Sequence, residues 1–126
     1  MSELTPYIAV ADARSAIDWY VEHLGAEVTH QPIVMPDGRI GHCELSIDGA
    51  RWMMSDPHPE IHVDAPLPDR GAAVTLHLTV EDVDALVERA VAGGAVLDRG
   101  PEDIPVGRVA VFRDPFGHRW FVHRPT

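Results

Sequence analysis

Arg113-Asp114-Pro115-Phe116-Gly117-His118-Arg119-Trp120-Phe121-Val122 contains a turn whose chemistry is legible residue by residue. Pro115 fixes its own φ, Gly117 tolerates a positive φ, and the Asp114 carboxylate can accept from nearby backbone N–H groups. An apolar run, Val109 to Phe112, precedes the turn, and a second, Trp120 to Val122, follows it. Two such runs joined by this turn predict a β-hairpin. The second arm has an echo 68 residues earlier, where Gly49-Ala50-Arg51-Trp52-Met53-Met54 keeps the Gly-x-Arg-Trp order and Pro57 matches Pro125. The chain is therefore expected to be built twice.

Working outward, the two halves align. Thr5, Tyr7, Ala9, Val10 and Asp12 match Thr75, His77, Thr79, Val80 and Asp82 at an offset of 70. In the first half a strand is predicted over 5–10. A helix capped by Asp12 or Ser15 and ended by Gly25 follows, with Ala16, Ile17, Tyr20 and Leu24 at helical spacing. Strands are expected over 27–35, with Pro32 marking an edge or bulge, then over 40–47 and 51–55, with turns at Pro36-Asp37-Gly38 and Asp48-Gly49. In the second half a strand over 74–80 leads to a helix capped by Glu81-Asp82, whose apolar stripe is Val83, Leu86, Val87, Ala90 and Val91. Gly93-Gly94 ends it, with no phosphate-loop pattern around it. Ala95 to Asp98 begins a strand, Gly100 to Gly107 is a proline-rich interruption, and 108–113 and 119–123 close the fold. The pattern is α+β: two βαβββ modules, module one over 1–56 and module two over 73–126, within a single domain of 1–126. Residues 57–72 form a proline-rich linker, read as a connection or a flap over a site.

Composition narrows the function. All ten basic residues are arginines, and the net charge is −10. No basic face is available for nucleic acid, and anionic membranes are disfavoured. Without lysine there is no Schiff-base chemistry from a side-chain amine. No run is long enough to span a bilayer and no secretory signal is visible, so a cytoplasmic location is expected. The single cysteine, Cys43, shares parity with Leu45 and Ile47, which predicts a buried thiol rather than a nucleophile. His58 and His62 are four apart, but the prolines at 57 and 59 argue for a loop.

The doubled βαβββ plan resembles the vicinal oxygen chelate superfamily, which includes glyoxalase I, extradiol dioxygenases, methylmalonyl-CoA epimerase and bleomycin-resistance proteins. The resemblance is carried by Thr5-Pro6-Tyr7-Ile8-Ala9-Val10-Ala11-Asp12, by Ala16-Ile17-Asp18-Trp19-Tyr20 with Leu24-Gly25-Ala26, by Val80-Glu81-Asp82-Val83-Asp84, and by Asp114-Pro115-Phe116-Gly117-His118-Arg119-Trp120. It implies a glyoxalase/bleomycin-resistance-type curved sheet with a shared cleft, and a homodimer. It also implies where the metal ligands of enzymatic members would fall, namely Thr5, Met53, Thr75 and Phe121. None of these is a metal ligand, so no metal and no other cofactor is expected.

Strand parity predicts the residues on the open faces. Thr5, Tyr7 and Ala9 share one face, as do Thr75, His77 and Thr79. On the later strands the same side takes His42, Glu44 and Ser46, then Met53 and Ser55, then Arg119, Phe121 and His123. Trp19, Trp52 and Trp120 fall on the helix side. The ligand-binding candidates are therefore Tyr7, His42, Glu44, Met53, Thr75, His77, Arg119 and Phe121. An apolar floor of Met53, Phe121 and Tyr7 with a few polar groups suits an organic ligand with ring character.

Two functions from different classes follow. One is metal-independent binding of a small, partly aromatic molecule in the cleft, as in antibiotic sequestration. The other is a glyoxalase-like lyase or isomerase using Glu44 and His77, with His42, for acid–base chemistry, or a divalent metal displaced to His42, Glu44 and His77. His77 also fits a plain hydrogen-bonded sheet histidine, and His42 and Glu44 fit a solvated sheet face. The residues leave open whether the chain is an enzyme.

Overall fold

The computed structural model describes residues 1–67 and 69–126; Pro68, within the expected linker, lies outside the described residues. The chain forms two compact units, Met1–Pro66 and Leu67–Thr126. In the first, β1 (Tyr7–Ala9) is followed by α1 (Ala13–Leu24), β2 (Glu27–Val34), β3 (Ile40–Ile47) and β4 (Ala50–Ser55). The second repeats the plan with β5 (Thr75–Thr79), α2 (Val83–Ala92), β6 (Val96–Ile104), β7 (Gly107–Arg113) and β8 (Arg119–Pro125). Each unit has one four-stranded mixed sheet, in the orders β1-β4-β3-β2 and β5-β8-β7-β6. The fold is α+β, two βαβββ modules.

Registers make the sequence echo physical. Tyr7 pairs with Met53 across the parallel β1–β4 ladder. Their repeat equivalents, His77 and Phe121, pair across β5–β8. Both helices start on an aspartate. Asp12 accepts from the Ser15 N–H, and Asp82 from the Ala85 N–H, each satisfying a donor the first helical turn leaves unpaired. Asp56, just past β4, accepts from the Ala13 and Ile40 N–H groups and so ties the start of α1 to the start of β3.

Each helix covers one face of its sheet. In the first unit Val10, Ala16, Tyr20, Ile40, Cys43, Leu45 and Met54 are buried. In the second, Val83, Ala90, Val109, Phe112, Trp120 and Val122 are buried. Trp52 stacks edge-on against Tyr20, and Trp120 lies parallel to Phe112. All three tryptophans are core residues.

The structure departs from the sequence expectation in three places. The first strand is shorter than 5–10, and Thr5 precedes it. The segment 100–107 is strand through Ile104: β6 continues past Gly100 and Pro101 with a register shift between Arg99 and Glu102, and the chain turns at Pro105 and Val106. β6 is an edge strand, where a residue lacking an N–H removes no ladder bond. The proline-rich linker carries a 3-10 turn, Pro59–Ile61, flanked by His58 and His62. Pro59 opens that turn, the one helical position where its missing N–H leaves nothing unpaired.

Candidate functional site

The open face of the first sheet gathers four of the expected residues. Tyr7, His42, Glu44 and Met53 meet through the β1–β4 and β3–β4 registers, which place Met53 opposite both Tyr7 and Glu44. The Tyr7 hydroxyl lies 2.8 Å from His42 Nδ1 and 3.0 Å from the Gly41 carbonyl. His42 Nε2 lies 2.9 Å from Glu44 Oε2. The hydrogen bond from His42 holds the Glu44 carboxyl below its ordinary range, so His42 Nε2–H donates to it. Burial, with Cys43 and Glu44 nearby, pushes the Tyr7 phenol upward, and the hydroxyl keeps its proton. Two bond patterns follow. With a neutral imidazole, Tyr7 O–H donates to Nδ1. With an imidazolium, Nδ1–H donates to Tyr7, and the hydroxyl is released to donate to Gly41 O. His30 adds an edge-on ring against His42, 5.5 Å between centroids.

The second sheet brings together Thr75, His77, Arg119 and Phe121. Arg119 Nη1 donates to Thr75 Oγ1 at 2.6 Å, and the His77 ring stacks on Phe121 at 5.3 Å. His77 Nε2 lies 3.1 Å from His123 Nδ1, and His123 Nε2 lies 3.0 Å from Val106 O. A carbonyl only accepts, so His123 carries its proton on Nε2 and accepts from His77 Nε2–H. With both rings neutral, His77 keeps a lone pair on Nδ1.

Each acid–base candidate has a partner within its own unit. Glu44 bonds to His42 in the first unit, and His77 bonds to His123 in the second. Ala9, Ser46 and Ser55, on the same side by parity, have little exposed surface, and Ser55 lines a hollow beside Tyr7. Among the described residues no group of three or more His, Cys, Asp or Glu side chains is arranged to hold a metal ion. The four positions that the resemblance implies for metal ligands are Thr5, Met53, Thr75 and Phe121. That donor set has no carboxylate or imidazole and does not fit a divalent ion.

Beyond reading the linker as a connection or a flap, sequence reasoning did not locate a hollow of about 470 Å³ at the end of the first sheet, lined by Tyr7, Met35, Gly41, Ser55, His58, Ile61 and Val63. Its outer side is the 57–63 segment, whose packing no local pattern announces. Cys43 is buried, its S–H donating to Met54 O, and burial pushes its pKa up to about 11.

A sequence model described as Glyoxalase/Bleomycin resistance protein/Dioxygenase superfamily matches residues 4–122. The chain belongs to this superfamily. Within it, an uncharacterized protein of Mycobacterium bovis is 40% identical over 98% of this chain and 83% of its own length. TioX from Micromonospora sp. ML1 is 26% identical, with a TM-score of 0.72 over all of both chains. TnmS3, an antibiotic binding protein from Streptomyces sp. CB03234, is 27% identical, with a TM-score of 0.70 over all of this chain and 98% of that one. Among the described residues no helix is long and apolar enough to cross a membrane.

Proposed function

We propose that this superfamily member binds a small, partly aromatic organic molecule, such as an antibiotic, without a metal ion, and acts as a cytoplasmic homodimer that sequesters it. The observation that carries the proposal is the contiguous open face of Tyr7, His42, Glu44 and Met53, where aromatic and thioether surface surrounds one hydrogen-bonded polar chain. Rings and a few fixed polar groups are the ordinary lining of an organic-ligand site. Thr75, His77, Arg119 and Phe121 offer the same mixture on the second sheet. The likeness to TnmS3, an antibiotic binding protein, supports the reading.

The test is thermal unfolding of chelator-treated protein with a panel of aromatic antibiotics. Free ligand at 100 times its Kd is expected to add about 2.7 kcal/mol of stability. A tightly held divalent ion, one per chain, whose removal abolishes ligand stabilisation would overturn the proposal.

The Tyr7–His42–Glu44 chain favours a second reading, proton transfer in a lyase or isomerase, because it has the geometry of a positioned acid–base group. Glu44→Gln and His77→Ala then each remove turnover while the fold persists. Full activity in both variants would sink it.

A further inference from the structure

The hollow at the end of the first sheet has properties of its own. Tyr7, Met35 and Ile61 on its wall are 51%, 39% and 67% exposed. Large apolar side chains that converge on one concavity mark a place where something apolar binds. Ile61 makes no contribution to the core that would explain it.

The wall is pre-set. Arg39, on the β2–β3 turn, donates to the Pro57 carbonyl and grips both Glu60 carboxylate oxygens, at 2.7 and 3.3 Å. Its Nε also donates to Asp37. His58 and Val63 exchange two backbone hydrogen bonds. A bidentate guanidinium–carboxylate grip fixes orientation as well as distance. The segment therefore keeps its shape without a ligand, and less ordering is required on binding.

Tyr7, Ser55 and His58 are the polar side chains lining the hollow; the Ser55 hydroxyl already donates to Asp56 O, and the Tyr7 hydroxyl is the one backed by a hydrogen-bonded chain. Behind it stand His42 and the Glu44 carboxylate, in a chain of net charge −10. That field disfavours an anion. We infer that this hollow is a subsite for a neutral aromatic group carrying a carbonyl oxygen, its ring against Met35, Ile61 and Val63 and its oxygen taking the Tyr7 O–H in place of Gly41 O. The inference rests on the small-molecule reading above and names the chemistry of one part of the ligand. With the carbonyl in place and His42 as the imidazolium, Nδ1–H donates to Tyr7 and Nε2–H to Glu44, so every donor in the chain is used.

The test is methyl NMR of the full chain, labelled at methionine and isoleucine methyls and titrated with acetophenone, benzoate and ethylbenzene. Acetophenone is expected to shift Met35 and Ile61 saturably, with benzoate at least about tenfold weaker. Tyr7→Phe weakens acetophenone about three- to tenfold, the loss of one hydrogen bond, and leaves ethylbenzene unchanged. Ile61→Ser weakens both, with the buried Met54 signal unmoved as a control for the fold. Equal binding of benzoate overturns the neutral class. Met53 shifting without Met35 and Ile61 overturns the subsite and leaves the small-molecule reading standing. Met35 and Ile61 signals that move with protein concentration in the absence of probe assign the hollow to a second copy of the chain, and also overturn the subsite.

Discussion

Asp114 shows how much one side chain in the Asp-Pro-Phe-Gly turn does. It is buried, and its carboxylate accepts from the Phe116 and His118 N–H groups and from Trp120 Nε1–H. The turn is thereby fastened to the core tryptophan of the strand it feeds. Asp114→Ala leaves these donors without their acceptor and is expected to cost ~2–3 kcal/mol in urea unfolding. Asp114→Asn costs less, because its one oxygen still serves the two backbone donors. Cys43 gives a prediction of opposite character. Its thiol titrates near 11 in the folded chain, against 9.0 for an ordinary thiol. Between those values the folded state retains a proton the unfolded state has lost, so stability declines as pH rises from about 9 to 11. Urea midpoints measured across that window should fall for the wild-type chain and stay flatter for Cys43→Ala.

Among the elements, caps and turns were legible because each is set by two or three neighbouring residues. Asp12, Asp82 and Gly25 stand where local chemistry demands them. The open faces were legible for a different reason: the repeat gave their parity twice, so Tyr7 and Met53, like His77 and Phe121, were assigned to the open side, whereas their pairing across the parallel ladders is a finding of the structure. β6 was not legible through Pro101, because an edge position is a property of the whole sheet and not of the segment. Met35, Ile61 and Val63 were hidden for the same reason, since the ion pair between Arg39 and Glu60 that sets the wall spans 21 residues. The hydrogen bond between His77 and His123 was equally invisible to parity, which assigns faces but not partners. Gly107, at the start of β7, offers a sharp check on that edge region. Its φ is 140°, and a Cβ there would collide with the Arg124 carbonyl. Gly107→Ala is expected to destabilise by ~2 kcal/mol or more, read as a lowered denaturation midpoint.

At the scale of the whole molecule, acid sensitivity follows from the carboxylates. Asp12 is held below its ordinary range by the Ser15 N–H, Asp37 by the Arg39 N–H, Glu44 by His42, Glu60 by Arg39, Asp84 by Arg108 and Asp98 by Arg113. Each has a folded pKa below its unfolded one. The stability they contribute is complete above the unfolded values and is lost as pH falls through the folded ones. Thermal midpoints should be level around neutrality and drop below roughly pH 4; a midpoint that holds steady down to pH 2 contradicts this. The alternation along β1, β3 and β8 has a further consequence. Ile8, Cys43, Leu45, Trp120 and Val122 turn inward and are buried, whereas Tyr7, His42, Glu44, Phe121 and His123 turn outward between them and are not. The proposed ligand face and the residues that make the chain fold are thus written on alternate letters of the same strands. A library randomised at the outward letters alone should keep its scaffold while its ligand preferences drift, which makes this architecture a ready substrate for selection.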